Sequence, residues 1–228
     1  MKVKKVTSKN GLLFYCRPDS SDEKTVEEVI NKNVYERNGI EIQKGEKWID
    51  LGGNIGSFTL LALSKGAEVE TYEPDHTNYK ILCENLKLNG YITNKVYNKA
   101  VVHDGRKNDY LHISKTNQHW RNSLVKSFNG DFREVECINF RDVIKNGYCV
   151  KMDIEGSEMH IIENFDITGV KKMVFEWSFD IDNNLDRYRN AIDNIKKYFS
   201  FVKYRSFGDS KFWKKSWVPP CVNVFCSN

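Results

Sequence analysis

No stretch of this sequence approaches the ~18 consecutive apolar residues that a membrane-spanning helix needs, so no membrane partner is expected. The basic N-terminus, residues 1–10, has no hydrophobic segment behind it, which argues against a secretory signal. The six cysteines (Cys16, Cys83, Cys137, Cys149, Cys221 and Cys226) form no C-x-x-C pair and read as reduced thiols of a cytoplasmic protein. Strong charge of either sign is missing as well: 35 Lys and Arg stand against 31 Asp and Glu, for a net +4. Basic residues are interspersed with acidic ones except at 211–215, so the clustered basic stripe that a nucleic-acid partner calls for is absent. There is no internal repeat and no low-complexity tract. The most informative absence is that of G-x-G-x-x-G, the loop that brings backbone close to a pyrophosphate.

A different glycine loop is there. Trp48, Ile49, Asp50 and Leu51 read as an apolar strand, and Gly52, Gly53, Asn54, Ile55 and Gly56 as a turn into a helix; Glu73 follows at the end of the next strand. This spacing is that of a nucleotide-ribose site, in which the carboxylate accepts from both ribose hydroxyls. Asn54 and Ser57 occupy positions where a dinucleotide loop starting at Gly52 needs glycine. What remains, D-x-G-x-N-x-G, suits a nucleoside carrying an amino acid, and S-adenosylmethionine is the expected cofactor. Asp50, Gly52, Gly53, Asn54, Gly56, Glu73, Ala100 and Asp153 are its candidate contacts. Pro74 ends the strand and Asp75 reads as a helix cap.

Strands at 47–51, 68–72, 95–101, 149–154 and 172–177 alternate with helices at 57–65, 76–89 and 157–165, which implies parallel strands with crossover connections. An excursion over 110–138 reads as a β-hairpin insertion. A helix over 23–35 is expected to pack as a cap over the cofactor side. The final pieces, 201–206 and 222–226, follow one another without a helix, so the last strand enters reversed. The predicted architecture is α/β: one Rossmann-like domain, residues 1–228, with a seven-stranded, mostly parallel sheet, one reversed strand and helices on both faces. Residues 1–45 form its cap and 46–228 its core.

The second chemical cluster runs from Val150 to Glu158, V-K-M-D-I-E-G-S-E. It delivers Asp153 and Glu155 to the strand ends where ligands of parallel sheets bind, and Glu176 ends the neighbouring strand. Three acids there can serve as general base, as a Mg²⁺ or Ca²⁺ site built from Asp153, Glu155 and Glu176, or as cofactor clamps. The polar loop holding His119, Trp120 and Arg121 offers a second candidate base in His119, a ring to stack on a sugar in Trp120, and a hydroxyl or anion ligand in Arg121. Trp213 and Trp217 form a second aromatic and basic loop.

Together W-I-D-L-G-G-N-I-G-S-F-T, Y-E-P-D, N-K-A-V-V-H-D-G, N-S-L and V-K-M-D-I-E-G-S-E resemble the FkbM family of S-adenosylmethionine-dependent methyltransferases, over residues 34–177. The resemblance implies the class I methyltransferase fold and O-methylation of a hydroxyl, commonly on a sugar or a polyketide-type metabolite. Asp153, His119 and Glu176 are then the candidate catalytic residues, and Trp120, Arg121, Glu155 and Trp177 the candidate acceptor contacts. The alternatives are a non-sugar small-metabolite acceptor and, from another class, a cofactor-binding partner protein without turnover.

Overall fold

The computed structural model describes residues 2–114, 122–127, 130–164, 166–179, 181–206 and 221–228. The chain opens with an antiparallel pair, β1 (Lys4–Thr7) and β2 (Leu13–Cys16). Helix α1 (Asp22–Val26) follows and widens directly into a π turn at Glu27–Asn31, with the Lys32 amide donating to the Glu27 carbonyl at 3.0 Å. The helix predicted over 23–35 is thus shorter and wound differently. Asn33, at φ +50°, adopts the left-handed conformation that asparagine tolerates and ends it before Val34.

The central sheet comprises β3 (Lys47–Leu51), β4 (Glu68–Tyr72), β5 (Lys95–Tyr97), β9 (Cys149–Met152), β10 (Lys172–Ser178), β11 (Phe201–Ser206) and β12 (Cys221–Ser227). Its order is β11-β12-β10-β9-β3-β4-β5, with β12 antiparallel to both of its neighbours and the remaining pairs parallel. This is the seven-stranded, mostly parallel sheet with a reversed final strand that the alternating pattern predicts. The connecting helices are α2 (Ser57–Ser64), α3 (His76–Leu88), α5 (Glu158–Asn164) and α6 (Leu185–Ile195).

Alternation along the strands sorts side chains between two apolar layers. Trp48, Phe58, Ile81 and Leu82 pack on one face with the N-terminal segment, while Ile49, Leu51, Met152 and Phe175 pack on the other with α5 and α6. Helices therefore cover both faces of the sheet.

The expected strand at 95–101 is two. After β5 the chain leaves the central sheet, and β6 (Ala100–Val102) joins a three-stranded sheet with β7 (Asn108–His112) and β8 (Phe132–Asn139), which leads into the short α4 (Phe140–Val143). The break lies at Asn98, whose side-chain amide donates to the carbonyls of Glu73 and Pro74 at 2.9 Å each. β7 and β8 pair antiparallel, as the predicted hairpin requires; most of its tip, 115–121 and 128–129, lies outside the described residues.

Candidate cofactor and acceptor site

The parallel strands β4, β3, β9 and β10 end side by side, and a cavity of about 340 Å³ opens at those ends. Gly52 sits where β3 turns toward α2. Its φ is +78°, and a Cβ there would lie 1.8 Å from the Asp153 carbonyl oxygen, so both backbone conformation and space demand glycine. The Gly52 and Gly53 amides donate to the Tyr72 carbonyl at 2.9 and 3.1 Å. Asn54, also left-handed at φ +49°, donates its amide to Glu73 Oε2 at 2.7 Å, and Glu73 Oε1 accepts from the Asp75 amide at 2.8 Å. Burial pushes the Glu73 carboxyl up to about 7, with the charge of Asp75 adding to the effect and the two amides opposing it. Asp75 caps α3 as predicted, accepting from the amides of Thr77 and Asn78.

Gly52, Gly53, Asn54, Glu73 and Ala100 all border the cavity, together with Asp153, Glu155 and Glu176. Two expected cofactor contacts do not. Asp50 lies beneath the loop, fully buried, with Oδ2 accepting from the Thr59 hydroxyl at 2.7 Å and Oδ1 paired with Lys151 Nζ at 3.1 Å. Gly56 precedes α2 at φ +93° and packs against Leu82. Trp177 is likewise displaced from its expected acceptor role. It follows Glu176, so the period of two sends it through the sheet to pack edge-on against Tyr188 of α6, 5.1 Å between ring centres, with no exposed surface. His119, Trp120 and Arg121 lie outside the described residues, as do Trp213 and Trp217.

The three strand-end acids do not form the expected Mg²⁺ or Ca²⁺ site: among the described residues no group of three or more His, Cys, Asp or Glu side chains converges to hold a metal ion. Asp153 instead receives a hydrogen bond from the Tyr35 hydroxyl, Oη to Oδ2 2.5 Å. Glu155 sits at φ +54°, its carbonyl accepting from the Ser123 hydroxyl at 2.5 Å. Glu158 braces this turn by accepting from the amides of Ile154 (2.5 Å) and Gly156 (2.8 Å), and burial pushes its carboxyl up to about 8.

Two residues without a sequence-based role belong to the site. Lys151 borders the cavity, 3% exposed, and donates to the carbonyls of Leu51 (3.2 Å) and Gly52 (2.7 Å), tying the glycine loop to β9. Its signal was a lysine amid the apolar run of a buried strand, which requires a partner. Tyr35 carried no such signal, because the contact joins positions 118 residues apart. The Ser57 hydroxyl borders the cavity, is buried, and has no hydrogen-bond partner among the described residues, so a polar ligand group fits there.

A seven-stranded sheet with its last strand reversed, and a glycine loop facing an acid across adjacent strand ends, define the class I methyltransferase architecture. Among solved structures, the Pyrococcus abyssi tRNA (uracil-54, C5)-methyltransferase in complex with S-adenosyl-L-homocysteine superimposes with a TM-score of 0.52 at 11% identity, over 99% of this chain and 44% of that one. The fibrillarin/Nop5p complex gives 0.51 at 10% identity, over 99% and 97%. At such identities the likeness speaks for the fold. No curated protein matches the chain in sequence. The methyltransferase FkbM domain matches residues 50–206, from Asp50 under the glycine loop to the end of β11, and the chain belongs to that family of methyltransferases.

Proposed function

We propose that this methyltransferase uses S-adenosylmethionine to O-methylate a hydroxyl, most simply that of a sugar or glycan. The observation that carries the cofactor reading is the cavity shared by Gly52, Gly53, the buried Ser57 hydroxyl and the Glu73 carboxylate. In this reading Glu73 accepts from the ribose hydroxyls, Ala100 borders the adenine with main chain, and Ser57 donates to the cofactor carboxylate; all three border the cavity, Ser57 from the first turn of α2. When bound, the sulfonium supplies an electrophilic methyl group. The chain's part is to hold the acceptor oxygen in line and to take its proton. Asp153 borders the same cavity and is the proposed base; Glu155 and Glu176 are the proposed acceptor contacts. The sugar acceptor is supported by the sequence resemblance; Trp120 and Arg121 remain its proposed loop contacts and His119 the second candidate base.

The test is transfer of a radiolabelled methyl from S-adenosylmethionine to a panel of free, phosphorylated and nucleotide-linked sugars, with the bond identified by mass spectrometry. An O-methyl sugar supports the reading; a methyl group on nitrogen or carbon, or on no panel member, contradicts it. Glu73→Ala is expected to weaken cofactor binding about 10- to 100-fold, the equivalent of about 1.5–3 kcal/mol for hydrogen bonds to a charged acceptor.

A further inference from the structure

Tyr35 lies before the residues matched by the FkbM domain, in the N-terminal segment beyond the π turn. Its side chain is 6% exposed, edge-on to Phe58 at 5.8 Å, and Lys151 Nζ stands 5.5 Å from its ring centre. Burial, then the charge of Asp153, holds its phenol well above the usual range, so the hydroxyl remains a donor at working pH. It donates to Asp153 Oδ2 at 2.5 Å, and Asp153 borders the cavity. An aspartate carboxylate turns easily about its last torsion, and one short bond from a fixed ring removes that freedom.

We propose that Tyr35 is a positioning residue: it fixes the Asp153 carboxylate through Oδ2 and thereby presents Oδ1 to the acceptor hydroxyl. This rests on the reading of Asp153 as base. In the step it serves, Oδ1 takes the hydroxyl proton while the acceptor oxygen bonds to the methyl carbon. The carbon–sulfur bond breaks with its electron pair going to sulfur, leaving an ether, a thioether and a protonated Asp153 that returns its proton to water. The sulfonium charge is lost and one proton is released, so charge balances.

The closing experiment has two arms on the full chain. With labelled tyrosine and S-adenosylhomocysteine, proton NMR is expected to show a slowly exchanging, downfield hydroxyl proton that vanishes in Tyr35→Phe and in Asp153→Ala. With the sugar the wild type methylates best, Tyr35→Phe is expected to lower kcat about 10- to 100-fold, as for a group misplaced near the reacting centre, with KM for S-adenosylmethionine and melting temperature unchanged. Adding it to Asp153→Asn should cost nothing more. Absence of that proton, or wild-type kcat in Tyr35→Phe, overturns the proposal. If the wild type methylates no hydroxyl, the reading of the reaction falls, while the NMR arm still decides whether Tyr35 holds Asp153.

Discussion

Lys151 and Asp50 occupy paired positions of adjacent parallel strands, both essentially buried, and each is tolerated because of the other. Lys151→Met leaves the Asp50 charge buried and uncompensated and is expected to cost about 3–5 kcal/mol in denaturant unfolding; Asp50→Asn in the same chain should recover much of it. This pair is half legible: motif position alone makes Asp50 a ligand contact, whereas its side chain faces Thr59 under the loop. Trp177 is set by the same geometry, since an acid facing the cavity at Glu176 sends the next residue to the opposite face. For Glu73 the ionised carboxylate is the form that accepts from a ribose. Its carboxyl titrates at about 7 in the folded chain, so cofactor affinity should rise with pH through about 7 and then level off. Calorimetric titrations from pH 5.5 to 8.5 check this, and Glu73→Gln should flatten the profile.

Among the elements, β3, β4 and β11 fall on their predicted bounds, because each is a short run closed by glycine, proline or a change of polarity. The chain between β5 and β6 was not legible, since the turn there depends on Asn98 bonding to carbonyls some 24 residues earlier. The π turn after α1 has the same helical spacing of Val26, Val29 and Ile30 as an ordinary helix and was hidden for that reason. At the loop before α2, geometry makes a sharp comparison possible. Gly52→Ala must accommodate a Cβ 1.8 Å from the Asp153 carbonyl, whereas Gly11→Ala, at φ +85°, meets nothing within 4 Å. The Gly11 variant should lose about 1–3 kcal/mol from left-handed strain alone; the Gly52 variant should lose more and also lose cofactor affinity, as thermal melts with and without S-adenosylhomocysteine would show.

Over the whole molecule, the alternation of strand and helix made the sheet and its reversed strand readable, and the two acidic motifs placed the cavity. What the sequence left hidden was the bond between Tyr35 and Asp153, a contact set by packing. The buried acids also make a global prediction. Glu73 and Glu158 titrate at about 7 and about 8 when folded, above the ordinary 4.5, so folding binds protons and their contribution to stability is lost as pH rises from about 4.5 to 8. Unfolding free energy measured over pH 5–8 should fall less steeply in Glu158→Gln than in the wild type. The central claim, that the glycine loop, Ser57 and Glu73 form a methyl-donor site, is tested most directly by isothermal titration with S-adenosylmethionine. One saturable site per chain, weakened at least tenfold by Glu73→Ala, is the predicted result; no binding, or binding that Glu73→Ala leaves unchanged, would contradict it.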